Sequence, residues 1–509
     1  MNFLSTLYNL YNSAEKAGLV DKQDGNKTVL LPLYHTSLKS SGNNIIKVIL
    51  DEDGKFYKAE ILDKENQIIF PVTEDSVSRS GKKPAAHPLS DKLSYFLGEE
   101  PEKNDSYKVQ FVSFIDALDK ESECYRFMKM IQDFIRLETM FSLIVSSIYE
   151  GKDYHIEGSK VNLFSGKKKS VINLGDYFLT FEVLNFKNNR NYNVTNYISL
   201  HRAYIRYIEN REEVMGTCCI SGERQSLTTK HRGVIQNAKI VSVSNNKETY
   251  YGRFKEKSDI ISVGYKTSEK AHLMLKFLLD NNNSCRWIAD QQYLVNWFSD
   301  DIENMQNFDI EKRATRVNRN MKSISFNPVT TDNKEVGNAF RYGWNNFDHD
   351  SRYYLAIVDQ SSKGRVSIKY FREMHTSELV RKIKKWHEQY HWYYLNKNNN
   401  ELEERTASFD QIINATYGIE RDGVLTLPDE KFKKNLHLKM ISYLVDGAHL
   451  PKSISKQLAV NLRQRSRYKK TWNELVDIAL GILNYERSGE YNTMLDKKII
   501  TDHIYMGAY

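Results

Sequence analysis

Three groups of side chains in this 509-residue sequence have the chemistry to meet nucleic acid. The first lies within residues 218–246, where His231, Arg232, Gln236 and Asn237 stand between two expected strands, 219–223 and 239–244. Amides and cations of this kind suit base edges and phosphate oxygens better than a core. Gly222 supplies the positive φ that a tight turn after the first strand often needs. The second group is Arg79-Ser80-Gly81-Lys82-Lys83-Pro84, continued by His87. Gly81 allows close backbone approach, the lysines neutralise phosphates and Pro84 stiffens the segment; the plain alternative is a basic surface turn. The third is Arg463, Arg465, Arg467, Lys469 and Lys470, at the end of an expected helix. These are either solvated charges favourable to the helix dipole or a salt-sensitive phosphate track. Arg381, Lys382, Lys384 and Lys385 pose the same choice beside Trp386, Tyr390, Trp392 and Tyr393. There the aromatics are expected in a core and the charges in water.

Metal and catalytic chemistry have weaker signals. Cys218, Cys219 and His231 invite zinc, but adjacent cysteines on a strand project to opposite sides and no Cys-x-x-Cys pair accompanies them. One buried thiol and no metal is the expectation. Asp348-His349-Asp350 matches a fragment of a metal-dependent hydrolase site, yet a coordination shell needs further His and Asp groups. A polar loop is the simpler account. There is no Gly-x-x-x-x-Gly-Lys-Ser/Thr loop and no Gly-x-Ser-x-Gly elbow. No cofactor and no enzymatic activity are expected. The alternatives are a metal-dependent nuclease built on Asp348, His349 and Asp350, or a nucleic-acid-binding protein that works alone.

The elements that must position these groups point to an irregular, multi-lobed α+β chain with small antiparallel sheets and a mainly helical C-terminal part. Its length suits two to four domains with substantial cores. Four cysteines without regular spacing point to a reducing, cytoplasmic setting, and no apolar run approaches the ~20 residues of a membrane span. The net charge of +8 is modest, so the clustering of cations matters more than their sum. An amphipathic helix opens the chain, with Phe3, Leu4, Leu7, Tyr8 and Tyr11 on its apolar side. Strands 44–50 and 55–62 meet across Asp53-Gly54, a strong hairpin signal. Residues 90–98 read as a short capped helix, 108–149 as helical, 153–182 as short strands, and the Asn-rich 185–195 as a loop. A helix at 199–210 precedes the first candidate stretch. Thr267 or Ser268 caps a helix through Leu279, and a Trp-bearing strand covers 286–298. Residues 353–359 and 365–371 form a hairpin leading into a helix from Thr376 to about Tyr394. Helices are expected at 431–445, 453–467 and 471–484.

These blocks, in order, resemble the large subunit of the type I-C CRISPR surveillance complex, Cascade. The resemblance rests on Phe3-Leu4-Ser5-Thr6-Leu7-Tyr8-Asn9-Leu10-Tyr11, Leu50-Asp51-Glu52-Asp53-Gly54-Lys55-Phe56, and Arg79-Ser80-Gly81 with Leu89-x-Asp91-Lys92-Leu93. It continues through Cys219-x-x-Gly222-Glu223, His231-x-Gly233-Val234 and Arg365-Val366-Ser367-Ile368. It implies a non-catalytic subunit that recognises the protospacer-adjacent motif (PAM) on foreign double-stranded DNA, helps open the duplex and docks a helicase-nuclease. Implied partners are the crRNA-bound backbone subunits and the helical small subunit; no membrane is involved. Guide pairing would read most of the sequence and protein the short motif. Residues 1–200 would face the PAM duplex, 201–400 would form a central α+β region, and the helical 401–509 would contact the guide-bound backbone. The family's small-subunit-like bundle is expected to be missing beyond Tyr509. Residues 234–239 are shorter than the family's Gln-Ser-Ser-Gly-Ala-like block, while Gln236 and Asn237 keep its amide chemistry.

Overall fold

The computed structural model describes residues 2–23, 28–79, 83–166, 168–211, 214–243, 253–254, 260–299, 301–302, 315–316, 351–396 and 401–491. Ser80, Gly81 and Lys82 of the second group lie outside the described residues, as do Asp348, His349 and Asp350. The chain divides into two compact units, Met1–Phe277 with Lys363–Arg365, and Leu278–Ser362 with Val366–Tyr509. Among the described residues the fold is mixed α+β.

The first unit opens with α1 (Phe3–Lys16). Asn2 caps it, its side chain accepting from Leu4 N at 2.8 Å, and Phe3, Leu7, Leu10, Tyr11 and Ala14 face the interior. Strand β1 (His35–Lys39) pairs with β4 (Gln67–Pro71), and β2 (Ile45–Leu50) with β3 (Phe56–Ile61), all antiparallel. At the β2–β3 turn Gly54 has φ +81°, and a Cβ there would meet Met130 Cγ at 2.8 Å. Helices α2 (Pro101–Asp116), α3 (Glu123–Ile135) and α4 (Met140–Ile148) follow. The strands β5 (Asp153–Glu157), β6 (Lys160–Ser165) and β7 (Lys168–Asn173) form one small antiparallel sheet.

Strand β8 (Phe178–Lys187) returns to lie parallel beside β2, which the long intervening chain permits. It then turns into β9 (Arg190–Asn193) where the sequence reading has a loop. Asn188 and Asn189, at φ +52° and +54°, tolerate the left-handed backbone that a two-residue hairpin turn needs. The helix expected at 90–98 is only a 3-10 turn, Leu93–Tyr95. The backbone there is already committed, since Leu179 N donates to Asp91 O and Leu93 N to Tyr177 O, both at 2.7 Å. After α5 (Ile198–Glu209) come β10 (Met215–Thr217), β11 (Arg224–Thr228), β12 (Val263–Gly264) and α6 (Tyr265–Asp280). Residues 218–223 are thus the connection between β10 and β11 rather than a strand, with Gly222 at φ +77°. No strand forms among the described residues of 239–244; Ala238 and Lys239 make isolated bridges only.

In the second unit β13 (Cys285–Ala289) and β14 (Gln292–Phe298) form a hairpin where one strand is expected, turned by Asp290 at φ +51°. After β15 (Thr315–Arg316), β16 (Arg352–Ser362) and β17 (Arg365–His375) complete the sheet order β13-β14-β16-β17. They lead into α7 (Thr376–Tyr390), the expected hairpin-then-helix unit. Strands β18 (His391–Asn396) and β19 (Glu401–Thr406) precede α8 (Phe409–Tyr417) and the small hairpin β20 (Ile419–Arg421) and β21 (Val424–Thr426). Helices α9 (Glu430–Asp446), α10 (Lys452–Asn461) and α11 (Trp472–Tyr491) close the chain. Trp386, Tyr390 and Trp392 lie in this unit's core beside Phe409 and Leu475, while Lys382 pairs with Glu378 at its surface. No helix among the described residues is long and apolar enough to cross a membrane.

Candidate nucleic-acid interface

Arg79 ends the 3-10 turn Ser76–Ser78 and turns inward. Its guanidinium donates to both oxygens of the fully buried Asp91, at 2.7 and 2.6 Å, and to Ala85 O at 3.0 Å, 4.9 Å from the centroid of the Tyr95 ring. Such a bidentate pair fixes direction as well as charge. The same carboxylate accepts from His87 N at 2.8 Å and Lys92 N at 2.7 Å. His87 is buried against Phe70, with Nδ1 2.8 Å from Ser76 Oγ. Burial pushes its imidazole down to about 4, with Asp91 opposing and Arg79 reinforcing. The sequence reading puts Arg79 and His87 on a duplex-contacting loop; the structure uses both to pin that loop's ends, and of the described group it leaves Lys83 exposed. Asp91→Ala is therefore expected to lower stability by about 2–3 kcal/mol, because it strands a charged donor and two backbone N–H groups. Trypsin should then cut after Lys82 faster than in the parent protein; the Lys83–Pro84 bond resists it. Unchanged cutting and unfolding would remove Asp91 from this role.

The stretch through residue 231 divides the same way. His231 is buried, its Nδ1 2.8 Å from Ser268 Oγ and its ring stacked on His272 with centroids 5.7 Å apart. Burial first, and His272 next, push it down to about 3. Arg232 is buried too: Nε donates to Glu269 Oε1 at 3.1 Å, Nη2 to Glu269 Oε2, and Nη1 to His35 O at 3.0 Å. Their partners on α6 are remote in sequence, which is why a local reading places both residues on a surface loop. Gln236 and Asn237 are different. They are the central residues of a turn closed by Ala238 N donating to Ile235 O at 2.9 Å, and both are exposed. Gly233 makes the turn fit, for a Cβ there would lie 2.6 Å from Gln236 O.

A cleft of about 660 Å³ joins the two stretches through residues missed in the sequence reading. Arg79, Lys83 and Ala85 line it, as do Lys230, next to His231, and Arg211, just beyond the end of α5. Lys230 Nζ pairs with Asp75. Lys230 stands within residues 218–246, where its charge is legible; nothing in the local sequence marks Arg211. Gln236 and Asn237 do not line this cleft.

In the second unit Arg463, Arg465, Arg467, Lys469 and Lys470 are all exposed. The expected helix 453–467 ends at Asn461, whose amide donates to Ala415 O and Thr416 O at 2.9 and 3.0 Å. The cations lie just beyond it, on the connection to α11. Tyr468 is buried among them, and Glu420 Oε2 accepts from Lys470 N and Thr471 N at 3.0 Å, holding the connection's end.

Cys218 is buried, with Sγ accepting from Ile220 N at 3.4 Å, and Cys219 is exposed. No cluster of three or more His, Cys, Asp or Glu side chains able to hold a metal occurs among the described residues. No curated protein matches the chain. A family model described as CRISPR-associated protein (Cas_Csd1) matches residues 7–501, nearly the whole length. The order of the blocks at 3–11, 50–56, 79–98 and 219–234 has one explanation in that match: the chain belongs to the Cas_Csd1 family of CRISPR-associated proteins, the large subunits of type I-C Cascade.

Proposed function

We propose that this chain, as a non-catalytic large subunit, recognises the PAM of target double-stranded DNA, helps open it for guide pairing and docks the helicase-nuclease. The observation that carries the reading is the family match over residues 7–501. The cation-lined cleft in the first unit supports it, as do the exposed Gln236–Asn237 turn and the five exposed cations at 463–470. In this reading Lys83 and Lys230 hold phosphates, the amides of Gln236 and Asn237 meet base edges, and Arg463, Arg465, Arg467, Lys469 and Lys470 face the guide-bound backbone. Arg79, His87, His231 and Arg232 position the contacting groups from inside.

The test assembles the chain with backbone subunits and guide RNA and measures duplex affinity across randomised flanks. A preferred flank is expected. Gln236→Ala should flatten that preference, a good amide–adenine contact being worth ~1–3 kcal/mol. Lys83→Ala should weaken all flanks alike and reduce the salt slope by about one. Equal binding of every flank by the parent complex would overturn motif reading.

A further inference from the structure

The cleft is layered. Its buried floor is Tyr265, Ile208 and Ala86, its wall carries Gln110 and Ser106 from α2, and its exposed rim carries Lys83, Arg211 and Lys230. Tyr265 is itself held by packing on Tyr34, with ring centroids 4.8 Å apart. Two acids line the cleft as well: Asp75, which is paired with Lys230, and the half-buried Glu74. At about 660 Å³ the space falls in the ~300–1,000 Å³ range of sites that enclose one small molecule. A duplex, whose major groove alone is about 12 Å wide, lies across such a cleft rather than inside it.

We infer that the cleft takes a single unpaired nucleotide of a DNA strand. The base rests on the apolar floor with its edge toward Gln110 and Ser106, and its phosphate meets Lys83, Arg211 and Lys230. This rests on the nucleic-acid reading and adds a step to it: capture of one nucleotide swung out of the stack, which holds the first opened pair apart. Unpairing one nucleotide has a modest energy cost that a fitted pocket and cationic rim offset. The polar walls and cations distinguish this site from a lipid or apolar-ligand cavity.

The experiment places 4-thiothymidine at each target-flanking position in turn, irradiates the assembled guide-loaded complex and maps cross-links by mass spectrometry. One position should cross-link to Tyr265 or the adjoining floor. Gln110→Trp fills the cleft from its wall; it should abolish that cross-link and slow opening of a paired duplex roughly tenfold or more, and much less when the flanking pair is already mismatched. Flank-selective binding without any floor cross-link overturns this inference and leaves motif reading standing. Gln110→Trp opening paired duplex at the parental rate also overturns it. If free 4-thiothymidine monophosphate labels the floor as efficiently as the strand does, the site serves free nucleotides and the strand assignment falls. Loss of all flank preference in the parent complex instead overturns the motif reading itself.

Discussion

Replacing Glu269 by alanine is expected to lower the unfolding free energy of the full chain by about 3–5 kcal/mol, the usual cost of leaving one member of a buried ion pair alone. Glu269 and Arg232 are both interior, and the carboxylate also accepts from Tyr34 N at 3.1 Å. Without it the Arg232 guanidinium keeps the acceptor His35 O but has no counter-charge. Arg232→Met should cost a comparable amount. The double change Arg232→Met with Glu269→Leu should recover the charge penalty but not the whole, because Tyr34 N–H loses its Glu269 acceptor and His35 O its Arg232 donor. Urea unfolding of the four proteins checks this. If Arg232 were instead a phosphate contact, Arg232→Met would unfold like the parent, while the assembled complex lost affinity and about one unit of salt slope. That outcome would return Arg232 to the interface.

Stability should fall steeply as pH drops from about 6.5 toward 4. Burial holds His87 and His272 down at about 4 and His231 at about 3, and pushes His35 well below its ordinary value. These groups stay neutral in the folded chain while the unfolded chain binds protons below its ordinary histidine value. The unfolded state therefore carries more protons in that window, and stability rises with pH through it. Above about pH 7 both states are neutral at these positions, so the contribution vanishes. At about pH 5 each such histidine costs roughly 2 kcal/mol. His87, His231 and His272 together remove on the order of 6 kcal/mol, against the ~5–15 kcal/mol total of an ordinary domain. A urea midpoint that stays level down to about pH 4.5 would refute this. His272→Gln should flatten the slope by about one proton's worth, as the Gln carries no proton in either state.

Short-range pattern was legible where one element's own residues decide its form. The Asp53-Gly54 hairpin, the opening helix under Asn2 and the hairpin-then-helix at 352–390 needed no distant partner. Residues 90–98 misled because the cap-like Ser90-Asp91 is spent elsewhere: the Asp91 carboxylate faces Arg79 and the backbone is bonded to β8. The Asn-rich 185–195 misled because asparagine's tolerance of positive φ serves a tight hairpin as well as a loop.

The candidate site divides along the same line. By itself the sequence determined the family, through block order along nearly the whole chain, and the inventory of cations and amides at 79–87, 231–237 and 463–470. Which of those groups meet solvent was decided by tertiary structure. Arg232 and His231 look outward in a local reading because Glu269 and Ser268 are 37 residues away in sequence. Arg79 does so because its carboxylate partner follows a loop, while Lys230 and Arg211 come to line one cleft only in the folded chain. A charged side chain carries no record of its partner; burial forces it to find one, and only the folded chain shows which.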